Sequence, residues 1–224
     1  MPKIFIWILR PFAGPIRYLM MKLMKRLRVH DDPRPIIAAS EHILHEFILP
    51  KIFETFNDAQ FRELAHFKKL PRSEHDRIFN ELEVSGVCIA IFYLRSVKTL
   101  VRPADYHFWQ DTEWYLPKQL QQILLGYRID SGNAKLMREL VEMRKKEYED
   151  LLTEVHRMNQ EASAEFKSAP AEVREFAAAL QATAVGTVGH IRRGKYAPGD
   201  PLVHYLAEEF MKIQRPLSKF VKKL

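Results

Sequence analysis

The stretch Val84-Ser-Gly-Val-Cys-Ile-Ala-Ile-Phe-Tyr-Leu94 lies near the middle of the chain and carries no charged side chain. A helix that is apolar on every face is stable in water only when other elements surround it. This run is too short to cross a bilayer, which takes about 20 apolar residues. The stretch therefore predicts a buried helix, over residues 79–101, inside a helical bundle. Cys88 lies within it and is expected to be a small core residue rather than a reactive thiol.

The segments on both sides of this stretch also favour helix. They are rich in Leu, Glu, Lys, Arg, Gln and Ala, and they show no alternation of period two that would indicate a strand. We therefore expect an all-α fold, a multi-helix bundle of about six to eight helices around the central helix. Ala178, Ala182 and Gly186 are spaced four residues apart, and this spacing predicts that a neighbouring helix approaches closely there.

Cap and proline signals divide the chain into these helices. Ser73 is placed to cap the central helix, and Asn57 with Gln60 matches a capping box that opens a short helix to about residue 70. Pro117 is placed to begin a further helix. Pro50 is expected to kink or break the first helix of the domain.

Net charge is distributed very unevenly along the chain. Seven of the 35 Lys and Arg residues lie in residues 1–29, which contain no acidic residue, so the remaining 28 bases balance the 28 acids of residues 30–224. The tail is basic as well, because no acid follows Glu209. Residues 1–30 are predicted to form a basic leader, residues 31–35 a linker, and residues 36–224 a single helical domain with a basic C-terminal helix.

The leader has the pattern of a helix that lies in a membrane interface. Its apolar positions from residue 16 to residue 27 recur at helical spacing, opposite basic residues, and Phe5 and Trp7 before them are placed to anchor at the headgroups. The residues predicted to bind the membrane are Phe5, Trp7, Arg10, Arg17, Lys22, Lys25, Arg26 and Arg28. Three alternatives stay open: a mitochondrial presequence, a nucleic-acid-binding arm, and a terminal helix that packs on its own domain or on a partner subunit.

The last helix repeats this pattern on a smaller scale. Its apolar stripe after Phe210 consists of Ile213, Leu217, Phe220, Val221 and Leu224, opposite the basic residues of the tail. This stripe is expected to be apolar enough to enter the headgroup region of a membrane and so to assist the leader.

A metal or haem site is the enzymatic alternative. His42 and His45 lie three residues apart in one predicted helix, and Glu63 with His66 forms a Glu-x-x-His step of the kind found in di-iron bundles. A complete di-iron site needs two such steps, and the sequence supplies one clear example. The aromatic residues between Tyr106 and Tyr115 are a second candidate, for the lining of a small-molecule pocket.

These observations favour a non-catalytic role. We expect a cytoplasmic protein that is peripheral at the inner face of a membrane, an adaptor that binds anionic lipid through its leader without a cofactor. A protein partner or a homo-oligomer fits the same role, whereas nucleic acid is the less favoured partner. The alternatives are an iron- or haem-binding oxidoreductase and a mitochondrial location.

Overall fold

All regular structure in the described part of the chain is helical. The computed structural model describes residues 33–97, 101–162, 164–195, 197 and 199–224. Its elements are α1 (Arg34–His42), a π-helical segment (Ile43–Ile48), α2 (Leu49–Asn57), α3 (Ala59–Leu64), a 3-10 turn (Phe67–Lys69), α4 (Arg72–Ser96), α5 (Pro103–Gly126), α6 (Ser131–Ala162), α7 (Ala164–Ser168), α8 (Ala171–Ile191) and α9 (Pro201–Lys223). The predicted all-α class is confirmed, whereas the predicted leader helix lies outside the described residues.

The uncharged stretch lies in α4, which contacts α2, α5, α6, α8 and α9. Every residue from 81 to 94 is buried, including Cys88. The helix begins at Arg72 and ends at Ser96, earlier than the predicted limit at residue 101, and residues 98–100 lie outside the described residues. Ser73 is not its N-cap, because Pro71 takes that position and its carbonyl oxygen accepts from the amide of Glu74 at 3.0 Å.

Pro50 does not break the first long helix. Proline has no amide hydrogen to donate to the preceding turn. The chain adapts through the π-helical segment just before it, in which the Leu49 amide donates to the carbonyl oxygen of Leu44, five residues back. α1, the π-helical segment and α2 therefore follow one another without an intervening loop.

Pro117 lies inside α5 rather than at the start of a new helix, so that prediction is wrong. Leu116 and Leu120, on either side of the proline, are fully buried. Packing of these two leucines in the core keeps the chain helical at Pro117, although proline has a low intrinsic helix propensity.

α4 is antiparallel to α2, since the rings of Phe79 and Phe56 lie 5.0 Å apart while Gly86, further along α4, lies against Ile48 and Ile52. α9 is antiparallel to α1 and α2, since the rings of His42 and Phe220 lie 4.7 Å apart while the Thr55 hydroxyl donates to Glu209 at 3.4 Å. The start of α1 and the end of α9 therefore lie at one end of the bundle, which we call the Pro33 end. α3 and the start of α4 lie at the opposite end.

α6 and α8 pack closely, as the small residues of α8 predict. Ala178 and Ala182 are fully buried, and a Cβ atom built on Gly186 would lie 2.5 Å from Cδ1 of Tyr148 on α6, with another ring atom closer still. The Tyr148 hydroxyl lies 3.1 Å from Oγ of Ser85 on α4. Close approach of the two backbones therefore positions a buried tyrosine that also contacts the central helix.

Candidate functional site

The residues predicted to bind a membrane lie in the leader, outside the described residues. Pro33, the first described residue, marks where the leader joins the domain. The C-terminal residue Leu224 lies near the same end of the bundle, because α9 is antiparallel to α1 and its Phe220 packs on His42. The junction with the leader and the last bases of α9, Lys219, Lys222 and Lys223, thus lie at one end of the domain.

The apolar stripe of α9 is not available to lipid. Ile213, Leu217, Phe220 and Val221 are all buried, so the prediction that this stripe enters a membrane is wrong. The stripe packs against the bundle instead, where the Phe220 ring lies 5.8 Å from the ring of Trp109. The basic side chains stay exposed, and their spacing of three or four residues places them largely on one face of the helix. They are Lys212, Arg215, Lys219, Lys222 and Lys223.

The four predicted metal ligands are distributed over several elements. The ring of His42 packs against Phe220, and Nε2 of His45 lies 3.9 Å from a carboxylate oxygen of Glu41. Glu63 and His66 are exposed. In the part of the chain that the structure describes, no three His, Cys, Asp or Glu side chains are grouped so that they could hold a metal ion.

The Glu63-x-x-His66 step does not form on a helix face. α3 ends at Leu64, and His66 has a φ of 59°, in the left-handed region. Residues three apart share a face only while the helix continues between them. The predicted helical step is therefore wrong.

The aromatic residues of α5 divide between core and solvent. Trp109 is fully buried against Phe108 and Phe220, whereas Trp114 is exposed. Residues that point to opposite sides of one helix cannot line a common pocket. The hypothesis of a small-molecule pocket lined by these residues is not supported by their positions.

The described residues line an open groove near the end opposite Pro33. Its volume is about 1000 Å³, and α2, α4, α5 and α6 form its walls with the segment after α5. Its lining is mostly apolar, and the side chains at its rim include Phe53 (60% exposed), Leu136 (60%) and Ile129 (42%). We call it the Glu83 groove. It is lined by Leu49, Phe53, Phe56, Asn57, Asp76, Phe79, Asn80, Glu83, Leu124, Tyr127, Ile129, Asn133, Leu136, Met137 and Leu140.

Glu83 is the unusual side chain of this groove. It is only 7% exposed, and it forms no hydrogen bond or ion pair with any residue that the structure describes. The other buried glutamates have cationic partners: Glu81 receives two hydrogen bonds from Arg144, at 2.8 and 3.0 Å, and Glu209 lies 2.7 Å from the ammonium of Lys51. An ionised carboxylate at such a position is costly unless it is paired, so a ligand that brings a base would stabilise the charged form of Glu83.

Burial alone raises the pKa of Glu83 from 4.5 to about 7, because the apolar surroundings disfavour the charged form. The other titratable residues of the lining are Asp76, on α4 like Glu83, and Tyr127, at the end of α5. The lining residues contributed by α2 and α6 are apolar or amides, and the lining as a whole contains no Lys, Arg or His. The groove is therefore apolar with acidic groups and without a compensating base.

Comparison with protein-family models, with curated proteins and with solved structures finds no match to this chain. Among the described residues, no helix combines the length and the apolar character that crossing a membrane requires.

A smaller cavity of about 590 Å³ lies between α6 and α8, beside Tyr148 and Gly186. Two polar residues at its edge pair with each other, since Nε2 of His190 lies 2.9 Å from Glu147, which also accepts from Arg144 at 3.0 Å. Arg144 also donates two hydrogen bonds to the carboxylate of Glu81. This network is satisfied within the chain, and it ties α4, α6 and α8 together.

Sequence reasoning missed the groove, although one signal for it is present. Asp76, Asn80 and Glu83 are spaced four and three residues apart, so they share one face of α4 just before the uncharged stretch. Because Glu83 follows on this face and lies directly before the uncharged stretch, the face indicates where a polar residue enters the core. The apolar walls come from three distant segments, and no local pattern connects them.

Proposed function

We propose that this protein is a non-catalytic adaptor, peripheral at the inner face of a membrane, that binds anionic lipid through its basic leader and the exposed basic face of α9. The observation that supports this proposal best is that both basic segments join the domain at the Pro33 end. Basic segments that adjoin the same end of the domain can both face one flat membrane, whereas segments at opposite ends cannot.

The charge is sufficient for reversible adsorption. Each Lys or Arg near an anionic surface contributes about 1 kcal/mol. The leader supplies seven such residues, and the end of α9 adds the exposed Lys219, Lys222 and Lys223. The apolar stripe of the leader then adds the hydrophobic part of the binding energy.

Vesicle flotation of the full-length protein tests the proposal. The vesicles contain phosphatidylcholine with or without phosphatidylglycerol, and binding is expected only when the anionic lipid is present. Replacing Lys219, Lys222 and Lys223 with Gln should weaken binding, by up to about 1 kcal/mol for each charge removed.

A matched control removes three exposed bases from the opposite end. Lys68, Lys69 and Arg72 are exposed there, so replacing them with Gln changes the net charge equally. This control should bind vesicles like the wild-type protein. Equal losses for the two triple variants would contradict the proposed orientation, and absence of flotation by the wild-type protein would contradict the proposed function.

The metal- or haem-binding alternative stays a prediction. Iron or haem at near-stoichiometric content in the purified protein would replace the adaptor proposal with an oxidoreductase.

A further inference from the structure

The Glu83 groove has the features of a surface that receives a helix. Its walls are apolar, side chains at its rim stay exposed to solvent, and a buried carboxylate without a partner among the described residues lies within it. Grooves of this kind bind the apolar face of an amphipathic helix. The occupant that matches this groove must also bring a base for Glu83.

We infer that the groove receives residues 16–28 of the chain's own leader whenever that segment is not bound to lipid. The leader is the segment of this chain that combines the two required features: an apolar stripe at helical spacing, and bases without any acid. The groove supplies the complement, since acidic groups and no base lie among its apolar lining residues. Residues 16–28 therefore complement the groove both in charge and in the presence of an apolar face.

The length of the leader permits this docking within one chain. Gly86 of α4 lies against Ile48 and Ile52 of the first long helix. Glu83 comes almost one turn before Gly86, and α4 is antiparallel to α2. Glu83 is therefore at about the same height in the bundle as Phe53. Phe53 lies 20 residues beyond Pro33, a distance of about 30 Å along a helix.

Residues 29–32, when extended, span about 16 Å from Pro33 to residue 28. A helix over residues 16–28 adds about 18 Å, so a leader that runs back along α1 and α2 reaches the level of Glu83. In this arrangement Leu19 and Met20 would be level with Glu83, and Arg17 would lie at the border of the apolar stripe. The Arg17 side chain is long enough to place its guanidinium beside Glu83 while its stem covers apolar surface.

The consequence is a switch between two bound states of the leader. The same Leu and Met side chains cannot lie in the groove and in a membrane at once. Docking in the groove therefore competes with adsorption to lipid, and only this competition rests on the proposed function.

Disulfide trapping in the full-length protein tests the docking itself. The native Cys88 is fully buried and burial raises the pKa of its thiol, so it stays inert to mild oxidants. Leu19→Cys is combined with Leu136→Cys at the groove rim, or with Met143→Cys as the matched control. Met143 lies two turns along α6 from Leu136, is similarly exposed at 55%, and is not among the residues that line the groove.

In the presence of diamide, the variant with Leu19→Cys and Leu136→Cys is expected to form its disulfide several-fold faster than the variant with Leu19→Cys and Met143→Cys. The product should be a monomer, and the rate should not depend on protein concentration. In the Leu136 pair, Glu83→Gln should slow the reaction by about tenfold, since a hydrogen bond to a charged group is worth at least that factor. Equal rates at the two positions would overturn the inference, and so would a product that consists of cross-linked dimers.

Anionic vesicles separate this inference from the proposed function. Vesicles that contain phosphatidylglycerol should slow trapping at Leu136. Trapping at Leu136 without any flotation would retain the docking and refute the membrane role. Flotation without preferential trapping at Leu136 would retain the membrane role and refute the docking.

Discussion

Replacing Gly186 with Ala tests the closest packing contact of the bundle. The new Cβ atom would lie 2.5 Å from Cδ1 of Tyr148, although carbon atoms in van der Waals contact are about 3.5 to 4.0 Å apart. The ring cannot simply rotate away, because its hydroxyl lies 3.1 Å from Ser85 Oγ inside the core. α8 must therefore move away from α6 by about 1 Å, or the ring must leave its position.

The expected cost follows from three contributions. Overpacking a core typically costs about 1 to 3 kcal/mol, and a lost hydrogen bond of Tyr148 adds about 1 kcal/mol. The higher helix propensity of Ala returns about 1 kcal/mol. We therefore expect Gly186→Ala to lower the free energy of unfolding by about 2 kcal/mol.

Gly126→Ala provides the matched control. No atom lies within 4 Å of a Cβ built on Gly126, which is the last residue of α5. The same substitution there should leave stability unchanged or raise it by up to about 1 kcal/mol. Urea denaturation followed by circular dichroism measures both variants.

A double variant separates the clash from other effects of the substitution. Tyr148→Leu removes the ring that the new methyl group meets. If the clash is the cause, adding Gly186→Ala to Tyr148→Leu should cost much less than it costs in the wild-type protein. A Gly186→Ala variant as stable as Gly126→Ala would refute the packing argument.

Three further predictions follow from the burial and charge of particular side chains. Because folding raises the pKa of Glu83 from 4.5 to about 7, the stability that its protonated form gives is complete below pH 4.5 and is lost as the pH rises through 7. If no cation is bound in the groove, the free energy of unfolding of the wild-type protein should fall by up to about 3 kcal/mol over this pH range, compared with the Glu83→Gln variant. A docked Arg17 stabilises the ionised form of Glu83 and so reduces this loss of stability. The Arg17→Gln variant should therefore lose more stability than the wild-type protein between pH 4.5 and pH 8. Urea denaturation midpoints at these two pH values measure the loss in each protein. Vesicle binding should weaken as salt rises through the physiological range, because exposed charges are screened over about 8 Å at 0.15 M, and flotation at several salt concentrations measures this. Cys88 should react with a thiol reagent only when urea unfolds the protein, since it is fully buried in the native state, and reaction in native buffer would contradict its place in the core.

The buried helix was predictable because its signal is local. Eleven consecutive residues without a charge have to be covered, whatever surrounds them, and the structure buries all of them. The close approach at Gly186 was predictable for the same reason, since three small residues on one helix face leave room for a neighbour.

Helix starts were less predictable, because neighbouring residues compete for the cap position. Asn57 and Gln60 match a capping box, yet Asp58 caps α3 by accepting from the Phe61 amide at 2.9 Å. Asp and Asn are about equally good N-caps, so local sequence does not separate them. The choice depends on where α2 ends: Asn57 is still helical, and the backbone becomes extended at Asp58.

Glu81 and Glu83 show why the candidate site was not predictable. The two residues lie two positions apart on one helix and are both buried. Residues two apart face different directions, so Glu81 meets Arg144, 63 residues later in the chain, while Glu83 faces the groove. Which carboxylate finds a partner depends on how α4 and α6 cross, and neither residue's sequence context contains that information.

The separation between Glu83 and the Pro33 end makes the coupling between groove and membrane measurable. Glu83 lies about 30 Å from the Pro33 end, and at physiological salt charges are screened over about 8 Å. Removing its charge therefore has almost no direct effect on the attraction between the basic end and an anionic membrane. The leader contributes to lipid binding only in the fraction of molecules in which it is undocked, whereas the contribution of α9 does not depend on docking. Tighter vesicle binding by Glu83→Gln would consequently report competition for the leader, whereas unchanged binding would mean that the groove does not control the leader.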